Sequence, residues 1–156
     1  MNDINKDGVN LKYKVVSFYC FYSLTEEKIV SLIDDIKNHS SNHTILGTVL
    51  LSLEGINGTI CGLSYEIDTL IFELKNQFPK KVMEIKYSYV DKQAFRKLKV
   101  KCKPEIVTMG IKKIDPNREV GNYINPLDWN EFVNDPNTLV IDTRNKYEIC
   151  IGTFKG

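Results

Sequence analysis

Between Arg96 and Lys103 the chain reads Arg-Lys-Leu-Lys-Val-Lys-Cys-Lys, so that Lys97, Lys99, Lys101 and Lys103 alternate with Leu98, Val100 and Cys102. In an extended strand this alternation sets four ammonium groups in one row about 6 to 7 Å apart. Successive phosphates of one nucleic-acid strand have similar spacing, which makes Arg96, Lys97, Lys99, Lys101 and Lys103 candidate RNA contacts. A plain structural account competes, because lysines on an edge strand discourage edge-to-edge aggregation. Glu54 is a second chemical group to account for, a carboxylate held at a strand end in Leu53-Glu54-Gly55-Ile56-Asn57-Gly58. Turns are commonly polar, so a bland turn explains it slightly better than a reactive one. Asp142 and Arg144 close an apolar run, at the kind of strand end where open α/β sheets carry their sites. Their charges suit an internal ion pair or loop anchor better than action on a substrate.

Other reactive side chains point away from catalysis. Four cysteines (Cys20, Cys61, Cys102, Cys150) form no CxxC pair and three fall in expected strands, which favours buried free thiols over zinc or disulfides. His39 and His43 lie four apart in a serine- and asparagine-rich loop without a carboxylate or thiol nearby. No metal, no cofactor and no catalytic nucleophile is assigned.

The elements that position these groups follow from periodicity. Lys14 to Tyr22 is β-branched and aromatic, as a covered strand should be. Its aromatics, Phe18, Tyr19, Phe21 and Tyr22, read as core more readily than as a stacking platform. Thr25 caps a helix with Ile29, Leu32, Ile33 and Ile36 on one face, ending near His39-Ser-Ser-Asn-His43. Thr48–Leu53 and Ile56–Cys61 make a hairpin around Gly55 and Asn57-Gly58. A second helix starts at Ser64 or Tyr65, carries Ile67, Leu70, Ile71 and Leu74, and closes at Phe78-Pro79. Met83–Val90 is the fourth strand. The order βαββαβ predicts an α+β, ferredoxin-like (acylphosphatase-like) domain over 13–91. It follows a flexible tail, 1–12, and precedes a basic strand and linker, 92–120.

That fold hosts many activities, and two lose ground on the residues. Phe21-Tyr-Ser-Leu24 has neither the glycine-rich loop nor the arginine an acylphosphatase would use. The third strand lacks the aromatics with which an RNA recognition motif stacks bases. From Gly121 a new α/β segment begins: Asn125 and Pro126 open a helix bearing Trp129, Phe132 and Val133, and Thr138–Asp142 reads as a parallel-sheet strand. One helix and one strand cannot bury their own apolar faces.

The whole chain has 156 residues, a net charge of +1, and 42% hydrophobic against 26% charged residues, ordinary for a soluble protein. That balance hides an asymmetry. From Lys80 to Lys103 nine Lys/Arg face only Glu84 and Asp91, so this segment carries +7 and the remainder −6. Such segregation suits a polyanion-facing surface. No apolar run approaches the roughly 20 residues of a membrane helix, and the first ten residues do not make a signal peptide, so a cytoplasmic location is expected.

Four stretches together resemble the rhodanese-domain tRNA uridine hydroxylases. They are Glu54-Gly-Ile-Asn-Gly-Thr59; Phe95 through Lys103 into Glu105-Ile-Val-Thr-Met-Gly110; Gly121-x-Tyr123-x-x-Pro126-x-x-Trp129-Asn130; and Val140-Ile-Asp-Thr-Arg-Asn145 with Tyr147-Glu148 and Ile151-Gly-Thr-Phe154. The resemblance implies oxygen-dependent 5-hydroxylation of the tRNA wobble uridine. It also implies a ferredoxin-like domain followed by a rhodanese-like domain that presents a reactive cysteine on its loop. Residues 121–156 then read as an incomplete rhodanese-like segment, truncated before that cysteine, and Cys150 lacks the surroundings to replace it. On this reading the partners are tRNA and a second chain completing the rhodanese-like domain, and the chain alone is inactive. Glu54 and Asn57 become site-proximal candidates through the resemblance and their fixed turn, alongside Asp142 and Arg144. A non-catalytic RNA-binding module and a decayed remnant are the alternatives.

Overall fold

The computed structural model describes residues 13–41, 44–79, 81–108, 110 and 121–154. The expected tail (1–12), His43, Lys80 and the linker residues 111–120 lie outside the described residues. The elements are β1 (Tyr13–Phe21), α1 (Glu26–Ser41), β2 (Leu46–Ser52), β3 (Gly55–Leu63), α2 (Ser64–Gln77), β4 (Glu84–Val90), β5 (Leu98–Cys102), α3 (Trp129–Asn134) and α4 (Lys146–Ile149). They fall into two compact units, Met1–Val120 and Gly121–Gly156.

In the first unit the strands form one sheet in the order β4-β1-β3-β2-β5. β1 pairs antiparallel with both β3 and β4, and β2 antiparallel with β3, which is the ferredoxin-like arrangement of an α+β domain. Both helices cover one face. Val16 and Phe18 of β1, Val49 and Leu51 of β2, and Ile56 and Ile60 of β3 alternate onto that face. There they meet Ile29, Leu32 and Ile36 of α1 and Ile67, Leu70, Ile71 and Leu74 of α2. Each such side chain contributes about 1.5 to 3 kcal/mol on leaving water, so this layer is the main source of stability.

Local chemistry sets the ends of the elements. The Lys28 N–H donates to Thr25 Oγ1 at 3.2 Å, the cap expected from sequence. α1 then runs to Ser41, inside the His39–His43 stretch where its end is expected and into residues expected as loop. His39 is therefore a helical residue, with Nδ1 3.2 Å from Glu73 of α2. Gly55 is required at the β2–β3 turn: its φ is +145°, and a Cβ there would lie 2.0 Å from the Cys20 carbonyl oxygen. Glu66, in the first turn of α2, is buried. Its carboxylate accepts from the Thr44 N–H and Oγ1 (3.2 and 2.8 Å) and from the Leu63 N–H (3.3 Å).

β5, the basic strand expected after the four-stranded domain, joins the same sheet as its fifth strand. It pairs in parallel with β2 at the sheet edge, in the register Thr48↔Lys99 and Leu50↔Lys101. Since β4 sits at the opposite edge, residues 91–97 must carry the chain across the whole sheet, about 19 Å at 4.8 Å per strand.

In the second unit the helix begins at Trp129 rather than at Pro126. Asn125 still shapes its approach: Oδ1 accepts the Leu127 N–H at 3.0 Å and the carbonyl accepts the Asp128 N–H at 2.9 Å. Thr138–Asp142, expected as a strand, is not one. A strand is defined by its ladder, and among the described residues nothing pairs with this run; Leu139 is 82% exposed and Ile141 70%. Among the described residues no helix is long and apolar enough to cross a membrane.

Candidate nucleic-acid interface

The basic run forms the strand its alternation predicts. Leu98 and Val100 are half-buried and Val100 packs on the core, whereas Arg96, Lys97, Lys99, Lys101 and Lys103 are exposed. Lys97 and Lys103 extend the ladder beyond β5 itself. The Gly47 N–H donates to the Lys97 carbonyl at 3.2 Å, and the Lys103 N–H donates to the Leu51 carbonyl at 2.8 Å. Four lysines in extended register thus occupy one edge, where they also discourage strand addition. Cys102 is exposed as well, because an edge strand has no neighbour on its outer side.

The basic strand is held in place by two residues of the β2–β3 hairpin. Glu54 Oε1 accepts the Ile106 N–H at 2.6 Å, and Asn57 Nδ2 donates to the Ile106 carbonyl at 2.9 Å. One residue is therefore gripped on both its backbone polar groups, which belong to successive peptide units, by side chains 52 and 49 residues away in sequence. Ile106 is 2% exposed, so this grip satisfies groups that water cannot reach. A tight turn is what gives the carboxylate its fixed aim: the Tyr22 N–H donates to the Glu54 carbonyl at 2.9 Å, and the Glu54 N–H to Ser52 Oγ at 3.1 Å.

A second tie-down acts on the segment that enters β5. Gln93 Nε2 donates to the carbonyls of Thr44 (2.9 Å) and Cys61 (3.0 Å), and the Ala94 amide hydrogen-bonds to the Cys61 thiol. Cys61 lies on the sheet face away from the helices, yet it is fully buried, because residues 91–97 pass over it. Burial pushes its thiol pKa up and the Ala94 bond only partly counters this, so the thiol stays protonated and unreactive.

Between the two tie-downs the uncovered face carries an unbroken polar row. The pairings Ser17↔Lys86, Ser17↔Thr59, Thr48↔Thr59 and Thr48↔Lys99 run across all five strands. Ser17 Oγ and Thr59 Oγ1 are 3.0 Å apart. The neighbouring row contains Glu84, Tyr19, Asn57, Leu50 and Lys101. Tyr19 stacks edge-on against Phe21 at 6.1 Å on this face, while Phe18 is core and Tyr22 meets Phe78 at 5.7 Å. Sequence reasoning missed Ile106, Gln93 and this row. Ser17, Thr48 and Thr59 each break an apolar run at the period of a strand, which was the available signal.

Asp142 and Arg144 belong to the second unit and form the ion pair expected of them. Arg144 Nη2 lies 2.6 Å from Asp142 Oδ2 and also donates to the Gly152 carbonyl at 2.8 Å; Thr153 Oγ1 donates to Asp142 at 3.1 Å. The side-chain and backbone hydrogen bonds from Arg144 hold the Asp142 carboxyl well below the usual carboxylate range. Together they close the loop from 142 to 153. Cys150 is exposed nearby in sequence. Among the described residues no group of three or more His, Cys, Asp or Glu could hold a metal ion.

Comparison with known proteins extends this geometry. The family model described as the UPF0176 acylphosphatase-like domain matches residues 13–106. A tRNA uridine(34) hydroxylase of Prochlorococcus marinus is 44% identical over 156 residues, which is 100% of this chain and 49% of that protein. The protein of the same name from another strain of that species, NATL1A, is 47% identical over 145 residues (93% and 46%), and that of Synechococcus sp. (strain CC9902) is 40% identical over 150 (93% and 49%). The chain spans about half the length of the curated relatives it matches. Among solved structures, a bacterial light-regulated adenylyl cyclase aligns at a TM-score of 0.49 with 14% identity, over 60% of this chain and 28% of that one. An acylphosphatase from Coxiella burnetii aligns at 0.37 with 11% identity, over 58% and 94%. The family match starts at the first residue of β1 and ends on Ile106, the residue that Glu54 and Asn57 grip, and with more than half its length covered the chain belongs to the UPF0176 family.

Proposed function

We propose that the chain is the N-terminal, tRNA-binding portion of a tRNA wobble-uridine 5-hydroxylase. The observation that carries this reading is the similarity, at 40 to 47% identity along nearly the whole chain, to proteins named tRNA uridine(34) hydroxylase. The basic edge strand supplies the physical complement, a row of lysines at phosphate spacing with an Arg96 guanidinium beside it. In this reading Gly121–Phe154 opens a rhodanese-like segment, with the Asp142–Arg144 pair as its loop anchor. Hydroxylation itself draws on a reactive cysteine that these 156 residues do not supply, either from further sequence or from a second chain. Glu54 and Asn57 act at one remove, by fixing the end of the strand that holds tRNA. The location that goes with this function is the cytoplasm.

Two measurements test it. Nucleoside mass spectrometry of tRNA, from a host lacking its own hydroxylase and expressing this chain, is expected to show no 5-hydroxyuridine, while a full-length relative restores it. Binding of tRNA to the chain should weaken steeply with salt, and replacing Lys97, Lys99, Lys101 and Lys103 by alanine should lower the slope of log K against log salt by about 3. Appearance of 5-hydroxyuridine with this chain alone would move catalysis into these residues. A slope unchanged by the four substitutions would remove the basic strand from the interface.

A further inference from the structure

The polar row on the helix-free sheet face is a feature that phosphate contact by β5 would leave unexplained. Its floor is Ser17, Thr59 and Thr48, and its ends are Lys86 on β4 and Lys99 on β5. Ser17, Lys86 and Lys99 are exposed, and Thr48 and Thr59 are half-buried. Two straps bound the row. On one side residues 91–97 lie over Cys61, and on the other Ile106 lies over Asn57. Cys61 and Asn57 are four residues apart on β3, about 13 Å along the strand, so the space between the straps is narrower than a double helix and holds at most one extended polymer strand.

The lining selects among extended polymers. Lysines stand at both ends, and Lys101 joins Lys99 on the same side, against the one carboxylate of Glu84 in the adjoining row; the ligand is therefore polyanionic. The distance from β4 to β5, about 19 Å, is three steps of a nucleotide chain at the phosphate spacing already set by the lysine row. The floor offers three hydroxyls, each able to donate and accept, in place of the aromatic pair that stacks bases on other sheet-face RNA binders. Hydroxyl groups opposite an RNA strand are suited to its 2′-hydroxyls, which are themselves donor and acceptor and are the group that distinguishes RNA from DNA.

We infer that this furrow binds a single-stranded RNA segment of about three nucleotides, laid across the strands with its phosphates toward Lys86 and Lys99 and its ribose 2′-hydroxyls toward Ser17, Thr59 and Thr48. The inference rests on the tRNA-binding reading above and deepens it: the edge strand supplies phosphate affinity, and the furrow supplies the preference for an unpaired ribose chain. Tyr19, two positions along β1 on the same face, offers its ring beside the path.

The test uses the full 156-residue chain and its S17A/T48V/T59V variant. Valine retains the shape of threonine and its strand preference, and circular dichroism melting checks that the variant folds. As a second variant, K86A/K99A removes exposed charges only. Fluorescence anisotropy is read with a labelled hexauridylate, its deoxyuridylate counterpart, bulk tRNA and an unstructured acidic peptide. The expected result is that the chain prefers the RNA hexamer to the DNA hexamer and that the hydroxyl variant weakens RNA binding about tenfold. The variant should also bind both hexamers equally, with the salt slope unchanged. K86A/K99A should instead weaken both hexamers alike and lower the slope by about 1.4. A hydroxyl variant that keeps its RNA affinity within twofold, or keeps the preference for RNA, overturns the inference. So does an acidic peptide that binds as tightly as the hexamer and loses affinity in the same variant. If the chain binds tRNA and not the hexamer, the furrow assignment fails and the edge-strand reading stands. If it binds neither, both fail together.

Discussion

The hairpin's grip on Ile106 makes a quantitative claim. Glu54→Ala removes the acceptor of a 2.6 Å charge-assisted hydrogen bond and leaves the Ile106 N–H without a partner at a residue 2% exposed. Losing a hydrogen bond to a charged group in such a place costs about 1.5 to 3 kcal/mol. For a domain of roughly 100 residues each kcal/mol moves the melting temperature by about 4 to 8 °C, so a fall of about 8 to 16 °C is expected for the central value of about 2 kcal/mol. Glu54→Gln keeps an acceptor oxygen and should lose less than half of that. Asn57→Ala releases the carbonyl of the same residue and should cost about 1 kcal/mol. The two losses should not add, because once one side of the grip is gone the backbone moves and the other side has little left to hold. Thermal melts of the single and double variants, with amide exchange followed at Ile106, measure all of this. A Glu54→Ala protein that melts within about 2 °C of the parent with an unchanged Ile106 exchange rate would refute the clamp. If that same substitution, placed in a full-length relative, abolished hydroxylation without loss of stability, Glu54 would belong to the chemistry instead.

Three further outcomes follow from the packing. Gln93→Ala frees residues 91–97 from the carbonyls of Thr44 and Cys61, and reaction of Cys61 with a thiol reagent at fixed pH should quicken by about 5- to 30-fold while Cys20, in the helix-side core, does not change. Gly55→Ala drives a Cβ into the Cys20 carbonyl at a positive φ and should destabilise by at least about 2 kcal/mol in urea unfolding, with an unchanged m-value. For Glu66, burial raises the carboxyl pKa, but hydrogen bonds from Thr44, Leu63 and Tyr65 outweigh it and leave the folded value below 4.5. A depressed folded pKa contributes stability above the unfolded value that is lost as pH falls through the folded one, so stability should decline below about pH 4.5, and Glu66→Gln should flatten that decline.

The helical faces and the hairpin were legible because each is a local pattern: Ile67, Leu70, Ile71 and Leu74 mark a buried stripe whatever lies opposite, and all four are buried. The lysine alternation likewise fixed which side chains of β5 face out. It could not reveal that β5 runs parallel to β2, since alternation carries the face of a strand and not its neighbour. The partner of Glu54 was hidden for a related reason: a carboxylate in a turn is compatible with many acceptor roles, and its donor is a backbone amide, which every residue but proline carries. His39 was misplaced because serine and asparagine favour loops only weakly, and packing against α2 outweighs that preference. In the second unit the run from Thr138 to Asp142 has the composition of a strand, but composition cannot provide the neighbouring strand that a ladder requires. Asp142 and Arg144 were legible because two opposite charges two residues apart need little else to meet.

The route of the chain from β4 to β5 also orders the assembly of the molecule. The β1–α1–β2–β3–α2–β4 unit contains every pairing among the first four strands, whereas β5 has nothing to pair with until β2 is already in its place in the sheet. Non-local, parallel pairing of this kind forms late, because the loop must close before any contact rewards it. The lysine row and the furrow it bounds are therefore expected to form late in folding and to be lost early when the edge strand frays. An unfinished or partly opened chain presents its lysines without the register that spaces them. The spacing of the lysine row is then a property of the completed sheet, and the exchange rate of the Lys103 amide, bonded to Leu51, gauges how often that spacing is lost.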